Sequence, residues 1–185
     1  MIKRRHVIQA AAAAPLSGVI MSQNADAATD LSNTVYMDID PGRVTITLRP
    51  DLAPQAAERI RVLSNQGFYD GCEFFRVIAG FVAQTGDRSN TGTQGSDLPN
   101  LPSEFTDNAS FLTGTVGMAR TNDPNSANSQ FYICLAPATF LDGKYTIVGQ
   151  VTAGMDAVQK IHLGSGASGS VKDPTKIVKM RVATN

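Results

Sequence analysis

The residues best suited to chemistry form one run of fourteen, Phe74-Phe75-Arg76-Val77-Ile78-Ala79-Gly80-Phe81-Val82-Ala83-Gln84-Thr85-Gly86-Asp87, in which a single arginine stands among aromatic and aliphatic neighbours. A guanidinium carries five N–H donors, no acceptor and a permanent charge. Its chemistry is therefore to hydrogen-bond an electron-rich atom, with no capacity to attack or to accept a proton. On one continuous strand Arg76, Ile78, Gly80, Val82 and Gln84 share a face, and Phe75, Val77, Ala79 and Phe81 share the other. Strict alternation sets Phe81 opposite Arg76, so a bend or bulge at Gly80 is needed to return both to one site. Taken alone, F-x-R-x-x-x-G-F describes an arginine in a surface ion pair beside core phenylalanines.

Other catalytic constellations do not form. His6 and His162 are the two histidines, and His162 falls on a predicted helix, so neither a Ser-His-Asp nor a Cys-His system is credible. Gly164-Ser165-Gly166 lacks the Lys-Ser/Thr of a phosphate loop. No local pattern selects a carboxylate pair for glycoside hydrolysis. No Cys/His cluster has metal-ligand spacing, so neither metal nor cofactor is expected.

The elements that must position Arg76 follow from periodicity. Val35, Met37 and Ile39 alternate with polar residues, Pro41-Gly42 interrupts, and Val44, Ile46 and Leu48 resume the alternation, which predicts an antiparallel hairpin. Ala56, Ile60 and Leu63 recur at helical spacing between Pro54 and Gly67, predicting a helix over 54–66. Met155, Val158 and Ile161 predict a second helix after Gly154, with Gly164 as its stop. Residues 74–84, 114–119, 130–135, 145–151 and 174–183 read as strands. Residues 86–108, rich in Gly, Ser, Thr, Asn and Pro, read as a long irregular loop of the kind usually functional or mobile. Many short strands with two separate helices indicate a β-barrel or sandwich with helices at its ends.

The chain's 185 residues, 42% hydrophobic and 17% charged, suit one domain with one well-buried core. Residues 1–28 read as a cleavable export signal: basic Lys3-Arg4-Arg5, an apolar Ala-rich stretch from Val7 to Ile20, and small residues at Ala25-Asp26-Ala27. The competing reading, a transmembrane anchor, needs roughly 20 apolar residues, whereas this stretch is shorter and carries Gln9, Pro15 and Ser17. The paired arginines also look like a twin-arginine signal, with Gln9 departing from the pattern, so the twin-arginine and general secretory routes both stay open. Residues 29–185 form the single expected domain. Removing the signal takes three of the 16 basic and one of the 16 acidic residues, leaving 13 against 15. With no block of like charge, neither nucleic acid nor, after cleavage, a membrane is an expected partner. An oxidising compartment permits a Cys72–Cys134 disulfide, but both cysteines sit beside apolar residues and are expected as buried free thiols.

The run 74–87 closely resembles the signature of the cyclophilins, the peptidyl-prolyl cis/trans isomerases. Gly114 to Thr121, Asn128-Ser129-Gln130-Phe131-Tyr132-Ile133 and Phe140-Leu141-Asp142-Gly143-Lys144 then follow in that family's order and spacing, so the likeness spans about residues 33–185. The resemblance implies a closed eight-stranded antiparallel β-barrel capped by two helices. It implies catalytic roles for Arg76, Phe81 and Gln84. Substrate contacts are implied for Val82, Ala119, Arg120, Thr121, Gln130, Tyr132, Phe140, Leu141 and Tyr145, with the proline ring held by Phe81, Val82, Tyr132 and Leu141.

The chain departs from the family's common pattern at several of these positions. Arg120 stands for an asparagine, Tyr132 for a phenylalanine and Tyr145 for a histidine. Phe140 replaces a frequent tryptophan, and with no tryptophan anywhere in the chain, binding of cyclosporin, which uses that indole N–H, is expected to be weak. None of these changes removes a group the reaction needs, because rotating an Xaa-Pro bond breaks no covalent bond.

The resemblance therefore implies a monomeric, periplasmic prolyl isomerase acting on proline-containing segments of unfolded or newly exported polypeptides. The rival reading is a proline-peptide binding module or holdase with incidental turnover. Arg76 beside Phe81 and Gln84 favours the enzyme, since a binding groove needs no donor for the prolyl nitrogen.

Overall fold

The computed structural model describes residues 31–184, so the predicted export signal over 1–28 lies outside the described residues. β1 (Thr34–Ile39) and β2 (Gly42–Leu48) form the expected hairpin, with Val35 opposite Ile46 and Met37 opposite Val44. Their apolar positions, Val35, Met37, Ile39, Val44, Ile46 and Leu48, are all buried. The period of two thus places one complete face in the core.

Helix α1 (Pro54–Asn65) begins on Pro54, as expected, but its preceding residue Ala53 supplies no side-chain cap. The Glu104 carboxylate takes that role, accepting from the backbone N–H of Gln55 at 3.0 Å and of Ala56 at 2.9 Å. An anion there also complements the helix dipole. Ala56, Ala57, Ile60 and Leu63 face inward, and the helix packs against the closing strand.

The segment 74–84 differs from the single interrupted strand predicted for it. It is a hairpin of β3 (Arg76–Ile78) and β4 (Val82–Thr85). Phe81 N–H donates to the Ile78 carbonyl at 3.0 Å, and Gly80 takes φ +66°, which favours glycine. Gly80 therefore reverses the chain where a bend or bulge was expected. Strands β5 (Thr115–Met118), β6 (Phe131–Cys134), β7 (Ile147–Ala153) and β8 (Ile177–Val182) complete one antiparallel sheet in the order β3-β4-β6-β5-β7-β2-β1-β8.

That sheet is a curled, open half-barrel and not the closed barrel expected. Its terminal strands β3 and β8 do not pair with each other, and Glu73↔Lys176 is an isolated bridge between the segments beside them. The edge of β3 is instead covered by a glycine-rich segment: Val77 N–H donates to Gly169 O at 2.8 Å and Gly164 N–H to Val77 O at 2.9 Å. Covering an edge with irregular chain satisfies its backbone groups without closing the ladder.

Helix α2 (Met155–Val158) is a single turn, shorter than predicted. Val158 and Ile161 are buried as the pattern required. Beyond Gln159 the backbone tightens to bonds three residues apart, Lys160 to Ala157 and Ile161 to Val158. His162 N–H is then drawn to Thr175 Oγ1 at 3.1 Å, which ends the helix before Gly164.

Two apolar clusters lie on opposite faces of β4 to β6. The larger fills the half-barrel and contains Ala83, Val116, Met118, Phe131 and Ile133. The smaller, outside it, contains Val82, Phe111, Tyr132, Cys134, Ala138, Leu141 and Ile147. Both cysteines are buried and unpaired, and burial pushes the thiols up, Cys72 to about 11 and Cys134 to about 12. No helix of the described residues is long and apolar enough to cross a membrane.

Candidate active site

The β3–β4 register puts Arg76 directly opposite Gln84, so the two side chains emerge on one face. Arg76 Nη1 donates to Gln84 Oε1 at 3.1 Å, Gln84 Nε2 to Gln130 Oε1 at 3.0 Å, and Gln130 Nε2 to the Gln94 carbonyl at 2.8 Å. Each amide accepts from one neighbour and donates to the next, which fixes both glutamines. Arg76 Nε also donates to Ser168 O at 3.2 Å. Three of its five N–H groups remain for a substrate.

Arg76 lines a cavity of about 170 Å³ together with Phe81, Val82, Gln84, Ala119, Arg120, Tyr132, Leu141 and Tyr145. Tyr132 is its floor. Its ring lies 6.0 Å from Phe111 in a stack and 6.1 Å from Tyr145 edge-on. Gly117, paired with Tyr132 across β5 and β6, leaves the space this ring occupies, because a Cβ there would lie 2.5 Å from Tyr132 Cζ. The Tyr132 hydroxyl is buried without a hydrogen-bond partner in the protein, and burial raises it well above the usual phenol range.

The short 3₁₀ turn η1 (Thr139–Leu141) sends Leu141 into the cavity and leaves Phe140 61% exposed. Phe140 stands at the rim, its ring centroid 5.4 Å from that of Phe81.

A second, larger cleft of about 810 Å³ adjoins the first and shares Gln84, Ala119 and Arg120 with it. It receives Thr121 and Gln130 of the predicted residues, together with residues 92–96 and 98–100, Ser126 and Asn128. Arg76 lines the smaller cavity and not the larger cleft.

The wall formed by 92–96 and 98–100 lies within the irregular loop expected over 86–108, none of whose residues was expected in the site. Besides Gln130, which donates to the Gln94 carbonyl, and Arg59, whose Nη2 donates to Pro99 O at 2.7 Å, the side chains of Asp87 and Asn128 hold it. Asp87, fully buried, accepts from Ser89 N–H at 2.7 Å, Thr93 N–H at 3.0 Å and Gln94 N–H at 3.1 Å. Burial pushes its carboxyl up, but the hydrogen bonds outweigh that and keep it below the usual carboxylate range. Asn128 Oδ1 accepts from Ser96 N–H at 2.8 Å while its Nδ2 donates to Leu98 O at 2.8 Å.

Among the described residues no group of three or more His, Cys, Asp or Glu could hold a metal ion. The arrangement offers a charged donor at the edge of a small apolar pocket, backed by a fixed amide relay. It can grip a compact apolar ring and hydrogen-bond an atom attached to it.

The family model for the cyclophilin type peptidyl-prolyl cis-trans isomerase/CLD matches residues 34–182. A probable peptidyl-prolyl cis-trans isomerase of Brucella suis is 46% identical over 191 aligned positions, covering 96% of this chain and 95% of that protein. Peptidyl-prolyl cis-trans isomerase-like 1 of Aspergillus oryzae is 33% identical over 156 positions, covering 82% of this chain and 96% of that one. Among solved structures, a cyclophilin from Hirschia baltica superposes with TM-score 0.74 at 27% identity, over 83% of this chain and 74% of its own. A Cryptosporidium parvum cyclophilin type isomerase, crystallised in the presence of the dipeptide Ala-Pro, superposes with TM-score 0.76 at 25% identity, over 82% and 99%.

Proposed function

This chain belongs to the cyclophilin-type peptidyl-prolyl cis-trans isomerases, an enzyme family, and we propose that it turns over Xaa-Pro bonds of unfolded, newly exported polypeptides with Arg76 as the catalytic donor. The proline ring sits on Tyr132 between Phe81, Val82 and Leu141. The observation that carries this reading is Arg76, with three N–H groups uncommitted, at the wall of the apolar cavity.

Rotation about the bond loses amide resonance against a barrier of roughly 18–20 kcal/mol. As the bond twists, the prolyl nitrogen becomes pyramidal and its lone pair becomes able to accept a hydrogen bond. Arg76 donates there, and because the interaction grows toward the transition state it accelerates the step. Moving from about 10–100 s to milliseconds requires roughly four decades, or about 5.4 kcal/mol. A charged hydrogen bond contributes about 1.5–3 kcal/mol. The remainder falls to desolvation and orientation of the proline by the cavity and of the flanking backbone by Gln84 and residues 119–121.

Exchange NMR on an Ala-Pro peptide tests the role of Arg76. Arg76→Ala is expected to slow turnover by about 10- to 150-fold with peptide affinity nearly unchanged. Equal exchange rates for both proteins at equal affinity overturn it.

The basic start, apolar stretch and small residues of 1–28 support periplasmic delivery, by either export route. Cell fractionation with N-terminal sequencing checks this: a chain still beginning at Met1 in the membrane fraction refutes it. The reading further includes a monomer and weak affinity for cyclosporin, since Phe140 has no indole N–H. Light scattering and titration with the drug measure these two.

A further inference from the structure

Arg120 is the second cation of the groove, standing on the ridge where the small cavity and the larger cleft meet. It is held in place from three directions. Its guanidinium carbon lies 4.4 Å from the Tyr145 ring centroid and 5.7 Å from that of Phe105. Nε and Nη2 donate to the Lys144 carbonyl at 3.3 and 2.9 Å, and Nη1 donates to the Thr121 carbonyl at 2.8 Å. Every one of these partners is neutral.

Neither cavity has an Asp or Glu in its lining, although the chain has as many acidic as basic residues. None of the ion pairs among the described residues involves Arg76 or Arg120. Arg120 is thus a positioned cation without a protein anion, and two of its five N–H groups remain uncommitted. Holding the planar fork in advance reduces the rotamer entropy lost when an acceptor arrives.

We propose, on the basis of the isomerase reading above, that Arg120 is a specificity residue selecting proline segments that carry a carboxylate within two residues of the proline. The reach follows from its place: Arg120 lines the proline cavity itself, and two extended residues span about 7 Å. Arg76 is assigned by that reading to the prolyl nitrogen, which leaves Arg120 as the other cation in the linings of the two cavities. Because the guanidinium is partly exposed, its pairing with a carboxylate is worth up to about 1 kcal/mol, roughly fivefold.

The test uses peptide pairs with Asp or its isostere Asn at each of the two positions before and after proline. Turnover by exchange NMR and affinity by titration are measured for wild type, Arg120→Gln and Arg120→Lys, at low salt and about 0.5 M salt, where screening is strong. Wild type is expected to favour Asp over Asn by about three- to fivefold in at least one position. That ratio falls to about one in Arg120→Gln and in high salt, and is partly kept by Arg120→Lys. A ratio of one in all four positions for wild type, or a ratio unchanged by Arg120→Gln, overturns the proposal. Turnover of a neutral Ala-Pro peptide by wild type is read in the same samples; its absence would instead refute the isomerase reading.

Discussion

On β6, Phe131 and Ile133 point into the half-barrel while their neighbours Tyr132 and Cys134 point away from it, and the two environments differ in finish. The inner face meets mostly aliphatic side chains from strands and helices throughout the described residues, with Phe131 fully buried and edge-on to Tyr69 at 5.4 Å. The outer face is also buried, yet its rings of Phe111 and Tyr132 and its aliphatic residues leave a cavity of about 170 Å³ and a hydroxyl without a protein partner. Close packing is the ordinary state of a core. A cluster that stops short of it beside a fixed arginine leaves room for a ligand, and on the proposed reading one set of strands divides stability from binding between its two faces.

Truncation on the inner face is the strongest challenge to that division. Phe131→Ala should lower stability by about 3–5 kcal/mol, read by urea denaturation, while turnover per folded molecule stays within about twofold. A matching collapse of turnover in the folded fraction would mean that the faces are not separable. Gly117→Ala is next in size. Its Cβ would lie 2.5 Å from Tyr132 Cζ and 2.7 Å from Phe111 Cε1, so overpacking should cost about 1–3 kcal/mol. The displaced ring should also close the cavity and cut turnover by about tenfold or more, at 1.36 kcal/mol per decade. Full activity would show that the floor can shift without consequence. Tyr132→Phe has the smallest expected effect. Removing the unpartnered hydroxyl should leave stability unchanged or raise it by about 1 kcal/mol, with turnover nearly constant. A lower melting temperature would show that the hydroxyl makes a bond to solvent that matters.

The local elements were largely legible. Alternation around Pro41-Gly42 and the helical spacing of Ala56, Ile60 and Leu63 each depend on neighbours a few residues away. At Gly80 a bend or bulge within one strand was expected and the chain reverses instead, since a glycine permits either. The register Arg76↔Gln84 then puts side chains together that a bulge would have placed differently. The second helix was overextended because Ile161 fits an apolar face equally well in a turn. The expected barrel proved open because residues 164–170, which carry no strand pattern, occupy the edge of β3.

The site shows the same boundary between near and far. The run 74–87 and its companion segments identified Arg76, Gln84 and the apolar residues of the pocket, and nine of the twelve named residues line the small cavity. Thr121 and Gln130 belong to the adjoining cleft, and Phe140 to the rim. What remained hidden was the wall held by Asp87 and Asn128, and the seating of Arg120 on Tyr145, twenty-five positions further along the chain.

Residue types and short-range spacing were enough to indicate the family and most of the elements, because they reflect chemistry and backbone preference within a few residues. The open half-barrel, the two unequal clusters and the unpaired cation between two cavities depend on strand register and on loops from distant parts of the chain. Those contacts exist only once the chain has closed on itself, since a one-residue change of register would turn every side chain on a strand to its other face.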